Sequence, residues 1–487
     1  MHELTTETFD RNARDALTDP QLRGALRNLA STFGERRKLA ITTVDDWEGL
    51  RERARAIKAD TLLHLDKYLE AFSSKAEALG VQLHWARDGA EARAIILQLL
   101  RDKQATRIVK SKSMTTEEIH LNAGLEAEGF FPIETDLGEW IIQMANETPS
   151  HIVVPAIHKS KRQIAELFAE KLGTDPEDGV PVLTGTARRV LRERFAEADV
   201  GISGVNFGVA ETGTFLILEN EGNVRLTTSL PRTHIAVMGI EKIIPRLTDL
   251  DVFLKLLPRS GTGQQLTAYQ SLITGVKRNP EDEGPEEIHL VIMDNGRSRM
   301  LGHPITRQSL ACIRCGACLN ACPVYQQIGG HAYGSVYPGP IGAVITPQLS
   351  GIEKSKQLPF ASSLCGACRE VCPVKIDIPE LLLHLRAEIK QGTAPGTAGE
   401  HGPVKRKVIE RLAFRLYAAA WSHRWSYEFG IKFSRFMQRA VVRDGRIGRV
   451  GGMLAGLAPP LAAWTSGRDA RPVAQRSFRD TWREETK

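Results

Sequence analysis

The chain has 487 residues, of which 42% are hydrophobic and 25% are charged, and its formal net charge is +6. Such a length corresponds to two or three domains, and such a composition excludes a disordered or fibrous protein. No stretch approaches the roughly 18 consecutive apolar residues of a membrane span, and the N-terminus carries acids where a secretory signal would have an apolar run. We therefore expect a cytoplasmic protein.

The beginning of the chain has a helical pattern. Leucines recur at four-residue steps, as at Leu22 and Leu26 and again at Leu65 and Leu69. This spacing places them on one face of a helix. We predict a helical N-terminal extension over residues 1–80.

Residues 81–300 alternate short apolar runs with helical periods, a pattern typical of βαβ units and a largely parallel sheet. The predicted strands are Val81–Trp85, Arg107–Lys110, His151–Pro155, Val200–Ser203, Thr214–Leu218, His234–Met238 and Ile288–Met293. The predicted helices include Thr116–Glu128, Lys159–Leu172 and Ala187–Ala198. Because open α/β sheets bind ligands at the carboxyl ends of their strands, we expect a pocket there.

All the cysteines of the chain fall within one segment, and they are Cys312, Cys315, Cys318, Cys322, Cys365, Cys368 and Cys372. The first four have the C-x2-C-x2-C-x3-C-P spacing of bacterial ferredoxins, and the last three repeat the end of that pattern. A structural zinc site would use four thiolates and leave three without a role. The spacing predicts an iron–sulfur domain with two clusters over residues 301–392.

In the ferredoxin arrangement the fourth cysteine of each motif binds the other cluster. The predicted ligands are, for the first cluster, Cys312, Cys315, Cys318 and Cys372 and, for the second, Cys322, Cys365 and Cys368. A complete second motif would have a cysteine where this chain has Ser362. The second cluster is therefore either a three-iron (3Fe-4S) cluster or a four-iron (4Fe-4S) cluster. In the four-iron case the last iron binds Ser362, a neighbouring group, water or substrate.

The segment Lys110–Thr116 follows a predicted strand and opens a predicted helix. Its backbone N–H groups, with Ser113 and Thr115 and assisted by Lys112, suit a carboxylate or a phosphate. The structural alternative is a capping box, in which Thr115 caps the helix and Glu118 returns the hydrogen bond.

A second polar segment is the glycine-containing turn that carries Asn206, Glu211 and Gly213 and leads into an apolar strand. Glu211 is the candidate catalytic residue, as a general base or a nucleophile. Turn formation alone would also explain the glycines. Asp136 is expected to cap the helix that follows it.

Residues 404–487 hold 18 Lys or Arg and 7 Asp or Glu, a balance of +11, and residues 393–403 have the composition of a flexible linker. Aromatic residues such as Trp421 and Phe433 are interleaved with the basic ones at helical spacing. This basic amphipathic region suits an anionic membrane surface or acidic partner subunits. The alternative is a helix packed on the iron–sulfur domain, and no nucleic-acid binding is expected.

The segments CIRCGACLNACPVY and SSLCGACREVCPVKIDIP, with residues 134–159 and 204–245, resemble the lactate utilization protein B family of LUD-domain iron–sulfur proteins. The resemblance implies an α/β LUD domain over residues 81–300, similar to ribose-phosphate isomerases and CoA-transferases, followed by an α-helical ferredoxin-like domain. It also implies electron transport in the oxidation of L-lactate to pyruvate, as a subunit of a multi-protein complex. The absence of a cysteine at position 362 agrees with the family.

Three functions follow from these features. The first is the electron-transfer subunit of an L-lactate dehydrogenase or oxidase complex, with peripheral contact to a quinone-linked membrane partner. The second is the iron–sulfur subunit for another 2-hydroxy acid, such as glycolate. The third is a catalytically active LUD domain that uses Glu211.

Overall fold

The computed structural model describes residues 5–392, 408–443, 445–450, 456 and 459–486. The backbone contacts divide the chain into two compact units, a first unit of residues 1–404 and a second unit of residues 405–487. The predicted linker lies outside the described residues. The predicted boundaries within the first unit stay predictions.

The helical prediction for the beginning of the chain is confirmed, and its helices are α1 Phe9–Leu17, α2 Pro20–Ile41, α3 Trp47–Leu63 and α4 Leu65–Ala78. Asp19 and Asp46 cap α2 and α3, because their carboxylates accept backbone N–H groups of the first turns. The buried faces of these helices pack with the cysteine-bearing part of the chain, since Leu26 and Trp47 share one apolar core with Cys318. The helices therefore form one wall of the cysteine region.

The strands of the first unit are β1 Val81–Ala86, β2 Ile108–Lys110, β3 Ile133–Glu134, β4 Val200–Gly204, β5 Phe207–Val209, β6 Phe215–Glu219, β7 Thr233–Gly239, β8 Ile243–Ile244, β9 Tyr269–Ile273 and β10 Glu287–Met293. Six of them form a parallel sheet in the order β1-β10-β7-β4-β2-β3. The other four form a small mixed sheet in the order β8-β5-β6-β9. The α/β prediction is confirmed.

Helices connect these strands, and they are α5 Gly89–Asp102, α6 Met114–Glu118, α7 Leu121–Glu126, α8 Leu137–Met144, α9 Lys161–Leu172, α10 Val180–Glu197, α11 Asn223–Ser229 and α12 Leu250–Gly261. Central strand β7 is buried along its whole length, which is typical of a parallel strand covered on both faces. After β2 the chain adds β3 on one side, and after β4 it adds β7 and then β10 on the other. A crevice therefore lies at the carboxyl ends of β2 and β4.

Two predictions of secondary structure are wrong. His151–Pro155 forms bends and turns and no strand, because His151 Nδ1 accepts the N–H groups of Val153 and Val154 at 3.0 and 3.1 Å. The predicted helix Thr116–Glu128 is divided into α6 and α7 at His120, whose φ is +50°. The sequence also does not predict β3, β5, β8 and β9.

The remainder of the first unit is helical, with α13 Arg297–Gly302, α14 Ala317–Ala321, α15 Tyr325–Ile328, α16 Gly339–Leu349, α17 Ala367–Val371 and α18 Ile378–Gln391. Short 3-10 helices, Thr306–Ala311 and Leu358–Phe360, precede the two groups of cysteines. The predicted helical character of this cysteine region is confirmed.

The second unit contains α19 Val408–Ser422, α20 Arg424–Met437, β11 Val442–Arg443, β12 Arg446–Ile447, α21 Pro459–Thr465 and α22 Phe478–Glu485. The two short strands pair antiparallel. Among the described residues, we find no helix with the length and apolar character that a membrane span requires.

Candidate metal centre

The two groups of cysteines lie on loops that repeat one backbone conformation fifty residues apart. In the first cysteine loop, residues 312–322, Arg314 and Gly316 have φ angles of +61° and +79°. In the second cysteine loop, residues 362–372, Leu364 and Gly366 have φ angles of +56° and +86°. Each glycine is followed by a five-residue helix, α14 or α17. The loops are therefore a structural repeat.

Ser362 has the place in the second cysteine loop that Cys312 has in the first. The backbone N–H of Arg314 donates to Cys312 Sγ at 3.4 Å, and the N–H of Leu364 donates to Ser362 Oγ at 3.1 Å. The guanidinium of Arg386 also donates to the carbonyl oxygen of Ser362, at 2.9 Å. The side-chain oxygen thus takes the position of the missing sulfur within the repeat.

The cysteines influence one another's pKa in two sets. In the first set, burial raises the pKa of Cys315 and Cys318, and the charges of Cys312 and Cys372 add to the rise. Burial raises the pKa of Cys372 to about 11, and Cys312 again contributes. Because such influence weakens with distance, these four sulfurs are neighbours although one lies in the other loop.

The remaining cysteines form the second set. Burial raises the pKa of Cys368 to about 12, with a further contribution from the charge of Cys322, and Cys365 adds to the rise at Cys322. Cys365 itself is exposed, and the backbone N–H of Ala367 and the hydroxyl of Ser363 lower the pKa of its thiol. This set therefore reaches the protein surface at Cys365.

Two sulfurs of the first set accept a backbone N–H group. Cys312 Sγ accepts the N–H of Arg314 at 3.4 Å, and Cys372 Sγ accepts that of Ile376 at 3.3 Å. Such N–H···S bonds stabilise thiolates and orient metal ligands. Soft sulfur donors in groups of four and three, with a hydroxyl oxygen beside the smaller group, fit two iron–sulfur clusters.

Buried cations lie near the first set of sulfurs. Lys58 Nζ donates to the carbonyl oxygen of Glu241 at 2.6 Å, and burial lowers the pKa of Lys58 and of Lys242 to about 8. The charge of Cys312 acts on both lysines and on Arg314, whose guanidinium lies 4.6 Å from a tyrosine ring. Positive charge beside an anionic cluster raises its reduction potential.

A buried ion-pair network connects the parallel sheet to the cysteine region. Arg297 donates to both carboxylate oxygens of Glu118 at 2.8 Å and to Glu241 at 2.6 Å. Tyr337 donates to Glu118 at 2.6 Å, and Arg314 lies 3.6 Å from Glu241. The Arg297 charge counteracts burial and holds the pKa of Glu241 at about 2, so this buried carboxylate is ionised.

Arginine side chains of the N-terminal helices donate hydrogen bonds to the backbone of the second cysteine loop. The sequence analysis did not predict these contacts. Arg51 donates to the carbonyl oxygen of Cys372 at 2.8 Å and to that of Glu370 at 2.9 Å, and Arg37 donates to Val371 at 3.4 Å. Arg51 and Lys58 lie on the buried face of α3. Because a charged residue is rarely buried without a partner, a charge on the apolar face of a predicted helix is the sequence signal that could have indicated these contacts.

The expected pocket lies at the carboxyl ends of the strands and has a volume of about 240 Å³. Its walls include Lys112 and Ser113 after β2, Asn206 after β4, and Arg314 with Cys315 from the first cysteine loop. The helix α6 is capped by Ser113, whose Oγ accepts a backbone N–H at 3.3 Å, so the capping role predicted for Thr115 is wrong. The pocket connects the sheet to the first set of sulfurs.

Glu211 lies outside the walls of this pocket. Its side chain is exposed, and its carboxylate accepts the backbone N–H of Leu247 at 2.9 Å. Its catalytic role stays a prediction. Asp136 caps α8 as predicted, since Oδ1 accepts the N–H of Glu139 at 3.0 Å.

Comparison with known families agrees with this architecture. The LUD domain matches residues 69–293, and the 4Fe-4S dicluster domain matches residues 308–376. The C-terminal domain described as "Lactate utilisation protein B, C-terminal" matches residues 384–487. The fold and the cysteines thus define an iron–sulfur protein with a LUD domain.

Two relatives are similar over their whole length. "Lactate utilization protein B" of Macrococcus caseolyticus is 44% identical over 98% of this chain and 97% of its own, and that of Bacillus pumilus is 43% identical over 100% and 99%. The chain therefore belongs to the lactate utilization protein B family. A solved structure, a DUF162 family protein from Deinococcus radiodurans, is 12% identical, with a TM-score of 0.28, over 47% of this chain and 98% of its own.

Proposed function

We propose that the chain transfers electrons during L-lactate utilization, through two iron–sulfur clusters. The observation that carries this proposal is the pair of repeated cysteine loops, whose sulfurs influence one another in one group of four and one of three. The relatives' name, "Lactate utilization protein B", supports lactate as the source of the electrons. When bound, such clusters accept and release single electrons.

The first proposed cluster has a complete set of thiolates, and its ligands are Cys312, Cys315, Cys318 and Cys372. Cys318 and Cys372 are 8% and 7% exposed, so little water reaches their sulfurs. The charge of Cys312 favours the protonated forms of the buried cations Lys58, Lys242 and Arg314. Positive charge and N–H···S bonds stabilise the reduced form, so this cluster accepts an electron more readily than one without them.

The second proposed cluster is held by Cys322, Cys365 and Cys368, and we assign Ser362 as the group beside its fourth iron. The support is the hydrogen bond that Ser362 Oγ accepts in the position of the first-loop sulfur. Because Cys365 is exposed, a cluster held by these residues would be accessible for electron exchange with a partner at the surface. We propose other lactate-utilization subunits as those partners.

The second unit is proposed as a further contact surface. Trp425 and Phe429 on α20 are 73% and 66% exposed, and they lie among basic side chains. Such a surface suits a quinone-linked partner at the inner face of the membrane. We expect cell fractionation at low salt to recover part of the protein with membranes and high salt to release it. Complete recovery in the soluble fraction at low salt would contradict this contact.

The substrate is tested by growth of a deletion strain complemented with wild-type protein or with Cys318→Ser. We expect wild-type protein to restore growth on L-lactate, and the variant to fail because the first cluster loses a ligand. Both strains should grow equally on glucose. Restored growth on glycolate, without restored growth on L-lactate, would assign the protein to another 2-hydroxy acid.

A further inference from the structure

The pocket at the carboxyl ends of β2 and β4 shares a wall with the first cysteine loop. Lys112 and Ser113 line the sheet side, and Arg314 and Cys315 line the opposite side. This place is the point at which the strand order reverses, where open α/β sheets bind their ligands. The opposite wall also brings a proposed ligand of the first cluster to the surface of the pocket.

The donor groups of this pocket outnumber their acceptors. Lys112 Nζ is 3.7 Å from Glu139, longer than a hydrogen bond, and its side chain is 17% exposed. Asn206 uses its oxygen to accept the N–H of Leu218 at 2.9 Å, and its amide N–H groups have no acceptor among the described residues. The side chain of Arg314 is 9% exposed, and its buried Nη1 has no hydrogen-bond partner among the described residues. Lys112 and Asn206 thus bring N–H groups to the pocket for which the described residues supply no hydrogen-bond acceptor.

The carboxylates near the pocket do not supply that acceptor. Glu219 accepts the N–H groups of Val224 and Arg225 at 2.6 and 2.9 Å, and Glu221, which also lines the pocket, accepts the N–H of Asn220 at 3.0 Å. Asp136 caps α8. Burial raises the pKa of Glu139, the carboxyl that lies 3.7 Å from Lys112 Nζ, so Glu139 compensates the charge of Lys112 only in part.

We propose that this pocket binds a small organic carboxylate, held by Lys112 and Asn206, in contact with the Cys315 wall. Its volume of about 240 Å³ suits a molecule of a few heavy atoms. The role of Cys315 as a cluster ligand rests on the proposed function, whereas the binding of the carboxylate does not. The bound molecule would lie beside Cys315, which would hold the first cluster, and the residues that would hold the second cluster include the exposed Cys365.

The test is isothermal titration calorimetry on the anaerobic, cluster-loaded full chain with sodium L-lactate, sodium pyruvate and the neutral analogue L-lactamide. We expect at least one of the two carboxylates to bind and L-lactamide to bind at least tenfold more weakly. Lys112→Gln and Asn206→Ala should each weaken carboxylate binding about tenfold, equivalent to roughly 1.4 kcal/mol. The matched control is Lys103→Gln, which removes an ion pair with Glu287 at the opposite end of the sheet and should leave binding unchanged.

A second readout is the EPR spectrum of the reduced protein, which should change on addition of the bound carboxylate in wild-type protein and in Lys103→Gln. If Lys112→Gln does not fold with wild-type iron content, Asn206→Ala decides the result. The proposal is overturned if neither carboxylate binds, or if the folded variants bind like wild type. Iron and sulfide analysis of the same samples separates the two proposals, because absent clusters with intact carboxylate binding contradict only the proposed function.

Discussion

The first and second cysteine loops have the same backbone and different surroundings. Their positive φ angles and five-residue helices correspond residue by residue, yet Cys312 in one is replaced by Ser362 in the other. Cys365 is exposed, whereas its counterpart Cys315 lines the pocket beside buried cations. A repeated scaffold can therefore hold two unequal sites, one facing a pocket within the protein and one facing the solvent.

The largest expected effect comes from removing the one ligand that each proposed cluster takes from the opposite loop. Cys372→Ser, in the second cysteine loop, should remove the first cluster. Cys322→Ser, in the first cysteine loop, should remove the second cluster. Each variant should lose about half of the iron, because a cubane needs its thiolates. Iron and sulfide analysis with EPR measures which cluster remains, and Ser74→Ala, at an exposed position of α4, is the control. If Cys372→Ser instead loses the second cluster, which Cys365 and Cys368 are proposed to bind, the assignment of Cys372 to the first cluster is contradicted.

A smaller effect is expected when the repeat is completed. Ser362→Cys supplies a fourth thiolate to the second cluster, and Ser362→Ala removes the oxygen. On brief exposure to air, wild-type protein should lose about one iron per chain and Ser362→Cys should keep it, because soft thiolate ligands hold iron more firmly than a hydroxyl. EPR of the oxidised protein follows the three-iron product. Equal loss of iron from the two proteins would place the labile iron elsewhere.

The cations should separate the two sites by their reduction potentials. Lys58→Met removes a buried charge near Cys312. We expect the reduction potential of the first cluster to fall by roughly 60 mV, which is a tenfold change in the equilibrium constant of a one-electron reduction. Arg369→Gln, beside Cys368, removes a side chain that is 61% exposed and should change the second potential much less, since water screens it. Spectroelectrochemical titration measures both. Equal shifts in the two variants would contradict the contrast in burial.

The smallest effect is expected for Glu211→Gln. Its carboxylate is exposed and accepts one backbone N–H, so the free energy of unfolding should change by no more than about 0.5 kcal/mol. Iron content, carboxylate binding and growth on L-lactate should equal those of wild type. Loss of growth with intact clusters would restore the prediction of a catalytically active LUD domain.

The sequence predicts the parallel sheet and the cysteine groups because both are local patterns. Strands such as β7 and β10 are largely apolar runs, and the cysteine spacing requires no long-range information. The segment His151–Pro155 has the same apolar character, but His151 bonds to its own chain and Val153 packs beside Gly316. Tertiary contacts of this kind override local propensity.

The electrostatic surroundings of the first site were not predictable in this way. Lys58, Glu241 and Arg297 lie far apart along the chain and meet only in the folded protein. In the sequence each is an ordinary charged residue, and only its place on a buried face distinguishes it. In the predicted anion-binding segment Lys110–Thr116, Lys112 and Ser113 line the pocket, and binding of an anion there stays a prediction.

The central claim is that the two loops hold two iron–sulfur clusters, and its most direct test is analysis of iron and acid-labile sulfide in anaerobically purified full chain. With EPR before and after reduction, we expect about eight irons per chain for two four-iron clusters, or about seven if the second is a three-iron cluster. Sulfide should be present in nearly equal amount. One or two irons per chain, without acid-labile sulfide, would contradict the account.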